Sequence, residues 1–198
     1  MKEIDKYKKI WSYKAYRKVS PGQELVPLFL EISGAKKGTL IDLGCGTGKA
    51  GKKLSKKFDV TLLDFVDNCV EKSNKLPFIK QPLYDPIKGI TKVRKLASEH
   101  PLHFDYGYCC DVMEHLPTEY VMMALKNIIT HCDHAFFSIC PNKDNFGGII
   151  GHPLHMTVKP FTWWKERLAE VAEIVDARDL IRYCIFYVRR PGLENGRS

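Results

Sequence analysis

Short apolar runs recur along the middle of the chain, and amphipathic segments separate them. The runs at 39–43, 60–64, 104–111 and 135–139 are rich in aliphatic, aromatic and β-branched residues, a composition typical of buried strands. Segments between them place apolar residues three and four positions apart, as on one face of a helix. This alternation of strands and helices indicates an α/β fold.

The two ends of the chain carry further periodic segments. Near the N-terminus, Ile4, Tyr7 and Trp11 fall at helical spacing, and a second helix is expected over 24–32. Residues 1–33 are therefore predicted to form a helical arm ahead of the first strand. The other helices are expected at 49–58, 67–73, 87–100, 118–132 (with Thr118 as its N-cap) and from 160 onward. The other strands are expected at 77–84, 172–177 and 183–188.

Three glycines follow the first strand at alternate positions, Gly44, Gly46 and Gly48. Glycine adopts backbone conformations that other residues avoid, and it leaves room for a ligand to approach the backbone. A strand, a glycine turn and a helix in this order form a unit that cradles nucleotides. The turn is therefore a candidate binding element, and glycines that serve only a tight turn are the alternative.

Two common nucleotide motifs do not fit this turn. A P-loop would need a glycine where the chain has Leu43 and a hydroxyl residue where it has Ala50. A dinucleotide fingerprint should follow the strand directly, but Gly44 and Cys45 intervene before its first possible glycine. The remaining pattern is D-x-G-x-G-x-G, which begins at Asp42.

This pattern resembles motif I of the class I S-adenosylmethionine-dependent methyltransferases. Asp64 ends the next apolar run, where this family places the acid that holds the ribose hydroxyls. A second stretch, CCDVMEHLP at 109–117, resembles the D-V-L-E-H-[IL]-P motif of many small-molecule methyltransferases. It follows the fourth strand, at the carboxyl edge where open α/β sheets bind ligands. The resemblance extends over about residues 39–188.

The resemblance implies a fold and a cofactor. The fold is a Rossmann-like, doubly wound sheet of seven strands, mostly parallel, with an antiparallel last strand, the order 3-2-1-4-5-7-6 and helices on both faces. One methyltransferase domain would span 1–198, with the arm at 1–33 either covering the cofactor or packing on the sheet. The cofactor would be S-adenosylmethionine.

Individual cofactor contacts also follow from the resemblance. Phe65, directly after the ribose acid, stands at the adenine-stacking position, and Asp85 stands where the family often has a carboxylate for the adenine amine. The backbone of the glycine turn would face the methionine end. The implied cofactor-binding residues are Asp42, Gly44, Cys45, Gly46, Asp64, Phe65, Asp85 and Asp111.

Two histidines are candidates for catalysis. His155 belongs to the long loop 142–159 after the fifth strand, and it is expected to orient or deprotonate the acceptor's nucleophile. His115 belongs to the second motif. The alternatives are a solvated loop residue for His155 and a capping or packing role for His115. A sulfonium methyl group is already activated, so positioning alone can contribute ~7–11 kcal/mol and a base is optional.

The formal net charge of +8 is unevenly distributed, because residues 1–57 hold 14 basic and five acidic residues, a net +9. A solvated lysine face is the commoner explanation of such a distribution, and a polyanionic partner is the more specific one. The residues at 110–113 match neither the [DNS]-P-P-[YFW] motif nor the Pro-Cys motif of DNA methyltransferases. A small-molecule acceptor methylated on oxygen or nitrogen is therefore favoured. The alternatives are an RNA or polyanion methyltransferase and a non-catalytic adenosylmethionine-binding or scaffold protein.

The cysteine and histidine spacings and the hydropathy of the chain argue against a zinc protein, a secreted protein and a membrane protein. No metal site is predicted, because the cysteine and histidine spacings fit no standard zinc pattern. The charged start of the chain is unlike a signal peptide, and no apolar run reaches the ~20 residues that cross a bilayer. The sequence therefore predicts a cytoplasmic protein with reduced cysteines and no membrane partner.

Overall fold

A seven-stranded sheet forms the centre of the computed structural model, which describes residues 1–87 and 102–193. Its strands are β1 (Thr39–Leu43), β2 (Asp59–Asp64), β3 (Phe78–Lys80), β4 (Phe104–Cys110), β5 (Cys132–Ile139), β6 (Glu173–Asp179) and β7 (Cys184–Arg189). They lie side by side in the order β3-β2-β1-β4-β5-β7-β6, which confirms the predicted order. Strand β7 runs antiparallel to β5 and β6, and the other neighbouring strands are parallel.

Helices cover both faces of this sheet, as predicted. They are α1 (Glu3–Ile10), α2 (Lys14–Lys18), α3 (Pro21–Ser33), α4 (Lys49–Leu54), α5 (Thr118–His131) and α6 (Phe161–Ala169), and Met113–His115 and Gly147–Ile149 form short 3-10 turns.

Successive residues of each central strand point to opposite faces, and both faces are buried. In β1, Ile41 packs in the core formed with α5 and α6, whereas Leu40 packs in the core formed with α3 and α4. Phe29 of α3 lies at the centre of the second core, fully buried, with its ring 5.4 Å from Tyr108 and 5.7 Å from Phe136. Burial on both faces explains why the central strands appear in the sequence as nearly continuous apolar runs.

Several predicted boundaries and one predicted helix were wrong. Residues 67–73 form turns rather than a helix, because their polar groups form hydrogen bonds with distant parts of the chain. Asn68 Nδ2 donates to the Lys8 carbonyl at 2.9 Å, and the Glu71 amide donates to the Thr47 carbonyl at 3.2 Å. The helix expected over 49–58 ends at Leu54.

Two further corrections concern helix starts and the arm. Pro117, not Thr118, is the N-cap of α5, because the Thr118 hydroxyl instead bonds the Thr157 hydroxyl at 2.9 Å. The arm's first periodic segment is interrupted after Trp11, so that α1 and α2 are separate helices. The helix expected over 87–100 falls, apart from its first residue, outside the described residues. Among the described helices, none has the length and apolarity needed to cross a membrane.

Candidate functional site

The glycine turn folds over the carboxyl ends of β1 and β2. The amides of Gly44 and Cys45 both donate to the Leu63 carbonyl, at 2.8 and 2.9 Å. Gly44 and Gly46 have φ angles of 68° and 51°, in the left-handed region that favours glycine. A Cβ on Gly44 would lie 2.5 Å from the Val112 side chain. These positions therefore need glycine both for their backbone conformation and for space.

Two buried carboxylates brace this turn. Asp42 accepts the Gly51 amide at 2.9 Å, which ties the end of β1 to α4. Asp64 accepts the amides of Gly46 and Val66, both at 3.1 Å. Burial raises the pKa of Asp42 to about 7 and that of Asp64 to about 6, although the backbone N–H groups oppose the shift.

Two adjoining cavities open beside the turn. The first, which we call the aromatic pocket, has a volume of about 770 Å³ including its mouth. Its walls include six aromatic side chains together with Asp64, Asp111 and His115. No lysine or arginine is among the described residues that line it. The aromatic residues are Tyr7, Trp11, Tyr16, Phe65, Tyr84 and Tyr120.

The second cavity, which we call the glycine-turn groove, has a volume of about 550 Å³. It runs along Asp42, the glycine turn and the start of α3. It shares four wall residues with the aromatic pocket, so the two cavities meet. The shared residues are Trp11, Tyr16, Gly44 and Asp111.

The N-terminal arm supplies the outer wall of both cavities. The Trp11 indole lies against Gly46, where a Cβ would be 2.9 Å from the ring. Tyr16 packs edge-on against Trp11 and against Phe146 of the long loop, with ring centroids 4.6 and 5.5 Å apart. Tyr7 packs edge-on against Phe65 at 5.0 Å. The arm thus packs over the site rather than only on the sheet.

The structure brings most of the sequence-predicted cofactor residues to these cavities. Asp42, Gly44, Cys45, Gly46 and Asp111 line the glycine-turn groove. Asp64 and Phe65 line the aromatic pocket.

Asp85 is the exception among the predicted cofactor residues. Its side chain is exposed and lies outside the walls of the pocket. Its backbone carbonyl accepts hydrogen bonds from the side chains of Gln81 at 3.0 Å and Asn127 at 2.6 Å. The neighbouring Gln81, Leu83 and Tyr84 line the pocket instead.

The two candidate catalytic histidines are in contact, but only one reaches the aromatic pocket. His115 lines that pocket, and its Nδ1 lies 2.8 Å from the Tyr7 hydroxyl. The rings of His115 and His155 meet edge-on with centroids 4.6 Å apart. His155 lies behind His115 and lines a third cavity, next to His152 and Lys143. Burial lowers the pKa of His115 to about 4 although Asp111 opposes the shift, so this imidazole is neutral at physiological pH.

The long loop is fastened to the second sequence motif. Asp144 accepts the amides of Leu154 at 2.8 Å and His155 at 3.2 Å, and it also accepts the Gly147 amide. The amides of Met156 and Thr157 both donate to the Glu114 carbonyl, at 2.8 and 2.9 Å. These bonds hold His155 against the turn at Met113–His115.

Sequence reasoning missed Glu114 and Tyr7 as site residues. Glu114 is fully buried, and its Oε1 accepts the Cys140 amide at 2.7 Å, while its Oε2 has no hydrogen-bond partner. Burial and the nearby Asp111 raise the pKa of Glu114 well above its usual range. The sequence did contain a signal for Glu114, because this residue is the glutamate of the D-V-M-E-H-L-P stretch. The spacing of Tyr7 indicated only a helix face.

Two groups of side chains bring potential metal ligands together. One contains Asp111, Glu114, His115 and His155, and the other contains Cys45, Asp64 and Cys69. In each group, one ligand atom per residue lies within 4.8 Å of the others. The second group is fully enclosed, and burial raises the pKa of the Cys45 thiol, which disfavours the thiolate that a metal would need.

Comparisons with known proteins agree with this architecture. A family model described as a methyltransferase domain matches residues 13–184. The ubiquinone biosynthesis O-methyltransferase of Nitrosomonas europaea is 30% identical over 125 residues, which are 60% of this chain and 52% of that protein. The chain therefore spans about half the length of this curated relative.

Solved structures share the fold at low sequence identity. The N-methyltransferase NodS of Bradyrhizobium japonicum WM9, crystallised with S-adenosylhomocysteine, aligns with a TM-score of 0.65 at 14% identity, over 95% of this chain and 98% of its own. The magnesium protoporphyrin IX methyltransferase of Synechocystis PCC 6803 aligns with a TM-score of 0.60 at 19% identity, over 94% and 93% of the two chains.

Proposed function

The chain belongs to the S-adenosylmethionine-dependent methyltransferases, and we propose that it methylates an oxygen or nitrogen of a small molecule bound in the aromatic pocket. The observation that carries this proposal is the junction of the two cavities. The glycine-turn groove suits the methionine part of the cofactor, and it meets the aromatic pocket at Gly44 and Asp111. The adenosine part would occupy the end of the aromatic pocket at Asp64 and Phe65, and the acceptor the end at Asp111 and His115, so the methyl group would lie where the two cavities join.

The cofactor proposal assigns a physical task to each carboxylate. Asp64 would accept the ribose hydroxyls, in addition to the two backbone amides that already hold its side chain in place. Asp42 would brace the turn through Gly51 and supply negative charge near the cationic cofactor. Phe65 would stack on the adenine ring at the entrance of the aromatic pocket.

The lining of the pocket supports a small, partly apolar acceptor. Its aromatic walls suit a ring or another apolar group, whereas its charged lining residues are the acids Glu3, Asp64 and Asp111. A polyanion would meet negative charge at the point of transfer. The basic residues of α4 are directed elsewhere, since Lys49 bonds the Arg17 carbonyl at 3.3 Å and Lys53 bonds the Gln23 carbonyl at 3.2 Å. This favours a small-molecule acceptor over RNA.

Methyl transfer requires little from the protein beyond the correct placement of the methyl donor and the acceptor. When bound, S-adenosylmethionine would supply an activated methyl group, and its transfer from sulfur to the acceptor's lone pair would leave a neutral thioether. The acceptor's proton leaves to solvent or to a neighbouring base. His115 is the imidazole on the pocket wall, and His155, one ring behind it, would orient it. Holding the two reactants in line accounts for much of the rate enhancement in such a reaction.

The test is to follow the methyl group. The protein is incubated with S-adenosylmethionine carrying a labelled methyl group and, separately, with a panel of phenols and amines and with total RNA. We expect label in low-mass products and no transfer to RNA at moderate salt. Label found only in RNA would support the polyanion alternative, and cofactor binding without transfer to any acceptor would support the non-catalytic alternative.

A further inference from the structure

Two carboxylates and two imidazoles converge at the wall of the aromatic pocket. One potential ligand atom from each of Asp111, Glu114, His115 and His155 lies within 4.8 Å of the others. Opposite ligands of a six-coordinate cation with ~2.1 Å bonds are ~4.2 Å apart, so side-chain shifts of a few tenths of an ångström close this group around an ion. We call these four residues the His–carboxylate cluster.

Both imidazoles have a hydrogen-bond partner at Nδ1. The Nδ1 of His155 lies 2.5 Å from the Asn142 carbonyl, which can only accept, so this Nδ1 carries the proton. The Nδ1 of His115 lies 2.8 Å from the Tyr7 hydroxyl, which can in turn donate to the Leu154 carbonyl at 3.4 Å. When the proton is on Nδ1, each ring donates to this partner and leaves Nε2 as the candidate ligand atom, as metal-bound histidines generally do.

Glu114 provides an independent indication of a missing ligand. Its side chain is fully buried, and Oε2 has no hydrogen-bond partner. Buried carboxylate oxygens without a partner are rare, because a carboxylate that loses its hydration must gain an ion or a hydrogen-bond donor in its place. The other oxygen, Oε1, is held by the Cys140 amide at 2.7 Å, so the carboxylate is fixed in position beside Asp111.

We propose that the His–carboxylate cluster binds one divalent first-row transition-metal ion. Two imidazole nitrogens and two carboxylate oxygens suit Mn²⁺, Fe²⁺, Co²⁺ or Zn²⁺ better than Ca²⁺ or Mg²⁺, which prefer all-oxygen sites. The cation would offset the negative charge of Asp111 and Glu114. A proton shared between these two carboxylates is the competing arrangement.

This site would define the acceptor class, a step that rests on the proposed function. Asp111 lines both the aromatic pocket and the glycine-turn groove, so the ion would lie where donor and acceptor meet. A metal ion binds a hydroxyl oxygen of the acceptor and lowers its pKa. An aromatic or small acceptor with adjacent oxygen donors, bound to the cation and methylated on oxygen, fits this geometry best.

Metal binding can be tested without cofactor or acceptor, using Co²⁺ as the probe. The chelator-treated full chain is dialysed against Co²⁺, and uptake is followed by elemental analysis and visible absorption. We expect one Co²⁺ per chain, and at least a tenfold weaker affinity in Glu114→Gln and His155→Ala. Glu114→Gln retains an acceptor for the Cys140 amide, and retained S-adenosylhomocysteine affinity would show that both variants are folded.

His152→Ala is the matched control, since His152 lies on the same loop but outside the cluster. It should bind Co²⁺ like the wild type. Absence of Co²⁺ uptake by the wild type, wild-type affinity in both cluster variants, or equal loss in His152→Ala would each overturn the site.

The proposed role of the metal ion in acceptor binding is tested by a separate measurement, the rate of methyl transfer. Methyl transfer to an oxygen acceptor should fall at least tenfold after chelator treatment and return with added Co²⁺ or Mn²⁺. Unchanged transfer by the metal-free protein would refute the role in acceptor binding and leave the proposed function intact. Metal binding with no transfer to any acceptor would refute the proposed function and leave the site intact.

Discussion

The indole of Trp11 lies against the backbone of Gly46, so close that a Cβ at Gly46 would be 2.9 Å from the ring. One residue comes from the N-terminal arm and the other from the glycine turn. Their contact makes the arm a wall of the glycine-turn groove, and loss of the indole should open that wall.

Trp11→Ala should weaken S-adenosylmethionine binding by roughly tenfold or more, because burying a large aromatic side chain contributes about 1.5–3 kcal/mol. Calorimetric titration measures this affinity directly. Tyr13→Ala is the matched control, because Tyr13 lies on the same arm but is substantially exposed. Equal affinities in the two variants would mean that the arm does not cover the cofactor.

Asp64→Asn should raise the cofactor dissociation constant by about 10- to 100-fold, since charge-assisted hydrogen bonds contribute about 1.5–3 kcal/mol. Asp67→Asn tests the same change three residues away, on an exposed carboxylate paired with Lys80 at 2.7 Å. It should bind the cofactor like the wild type. Circular dichroism shows whether Asp64→Asn remains folded, and unchanged affinity in a folded variant would contradict the ribose assignment.

The stabilising contribution of protonated Asp42 and Asp64 in the ligand-free protein should fall as the pH rises from about 4 to about 7. In the folded state the pKa of Asp42 is about 7 and that of Asp64 is about 6, against an ordinary value of 3.8. The folded protein therefore holds protons that the unfolded chain has already released, so this contribution is complete below pH ~4 and is lost as the pH passes ~7.

Urea unfolding across this pH range measures the effect, and Asp42→Asn provides the comparison. Asparagine can still accept the Gly51 amide through its side-chain oxygen, but it has no carboxyl group to titrate. The variant should show a flatter pH dependence than the wild type. Identical slopes in the two proteins would mean that Asp42 is ionised throughout the range.

Charge reversal at Lys53 and Lys57 should leave methyl transfer to a small molecule nearly unchanged. Both side chains are exposed, and neither residue lines the aromatic pocket or the glycine-turn groove. Initial rates of Lys53→Glu/Lys57→Glu at low and moderate salt give the measurement. A large loss that depends steeply on salt would instead indicate a polyanionic acceptor.

The sheet and the glycine turn were predictable because residues close together in the sequence determine them. The apolar runs of β1, β2, β4 and β5 are buried on both faces, which makes their pattern strong, and the turn requires glycine at fixed positions. The helix expected over 67–73 failed for the opposite reason. Its residues bond to Lys8 and Thr47, partners that are distant in sequence, and local propensity cannot anticipate them.

The candidate site was only partly predictable for a similar reason. Asp64 and Phe65 follow directly from the end of β2, whereas the contact between His115 and His155 joins residues 40 positions apart. The bonds from Met156 and Thr157 to the Glu114 carbonyl create that contact, and no periodic pattern reports them. Asp85 shows that a residue's position relative to a motif does not determine whether its side chain reaches the pocket. Its neighbours line the pocket, whereas its own side chain faces solvent.

A crystal structure of the protein with S-adenosylhomocysteine tests the cofactor assignment most directly. The ribose hydroxyls should lie against Asp64, the amino-acid part in the glycine-turn groove, and the sulfur should be directed towards Asp111 and the acceptor end of the aromatic pocket. A cofactor whose ribose lies away from Asp64, or whose sulfur faces away from the aromatic pocket, would contradict it.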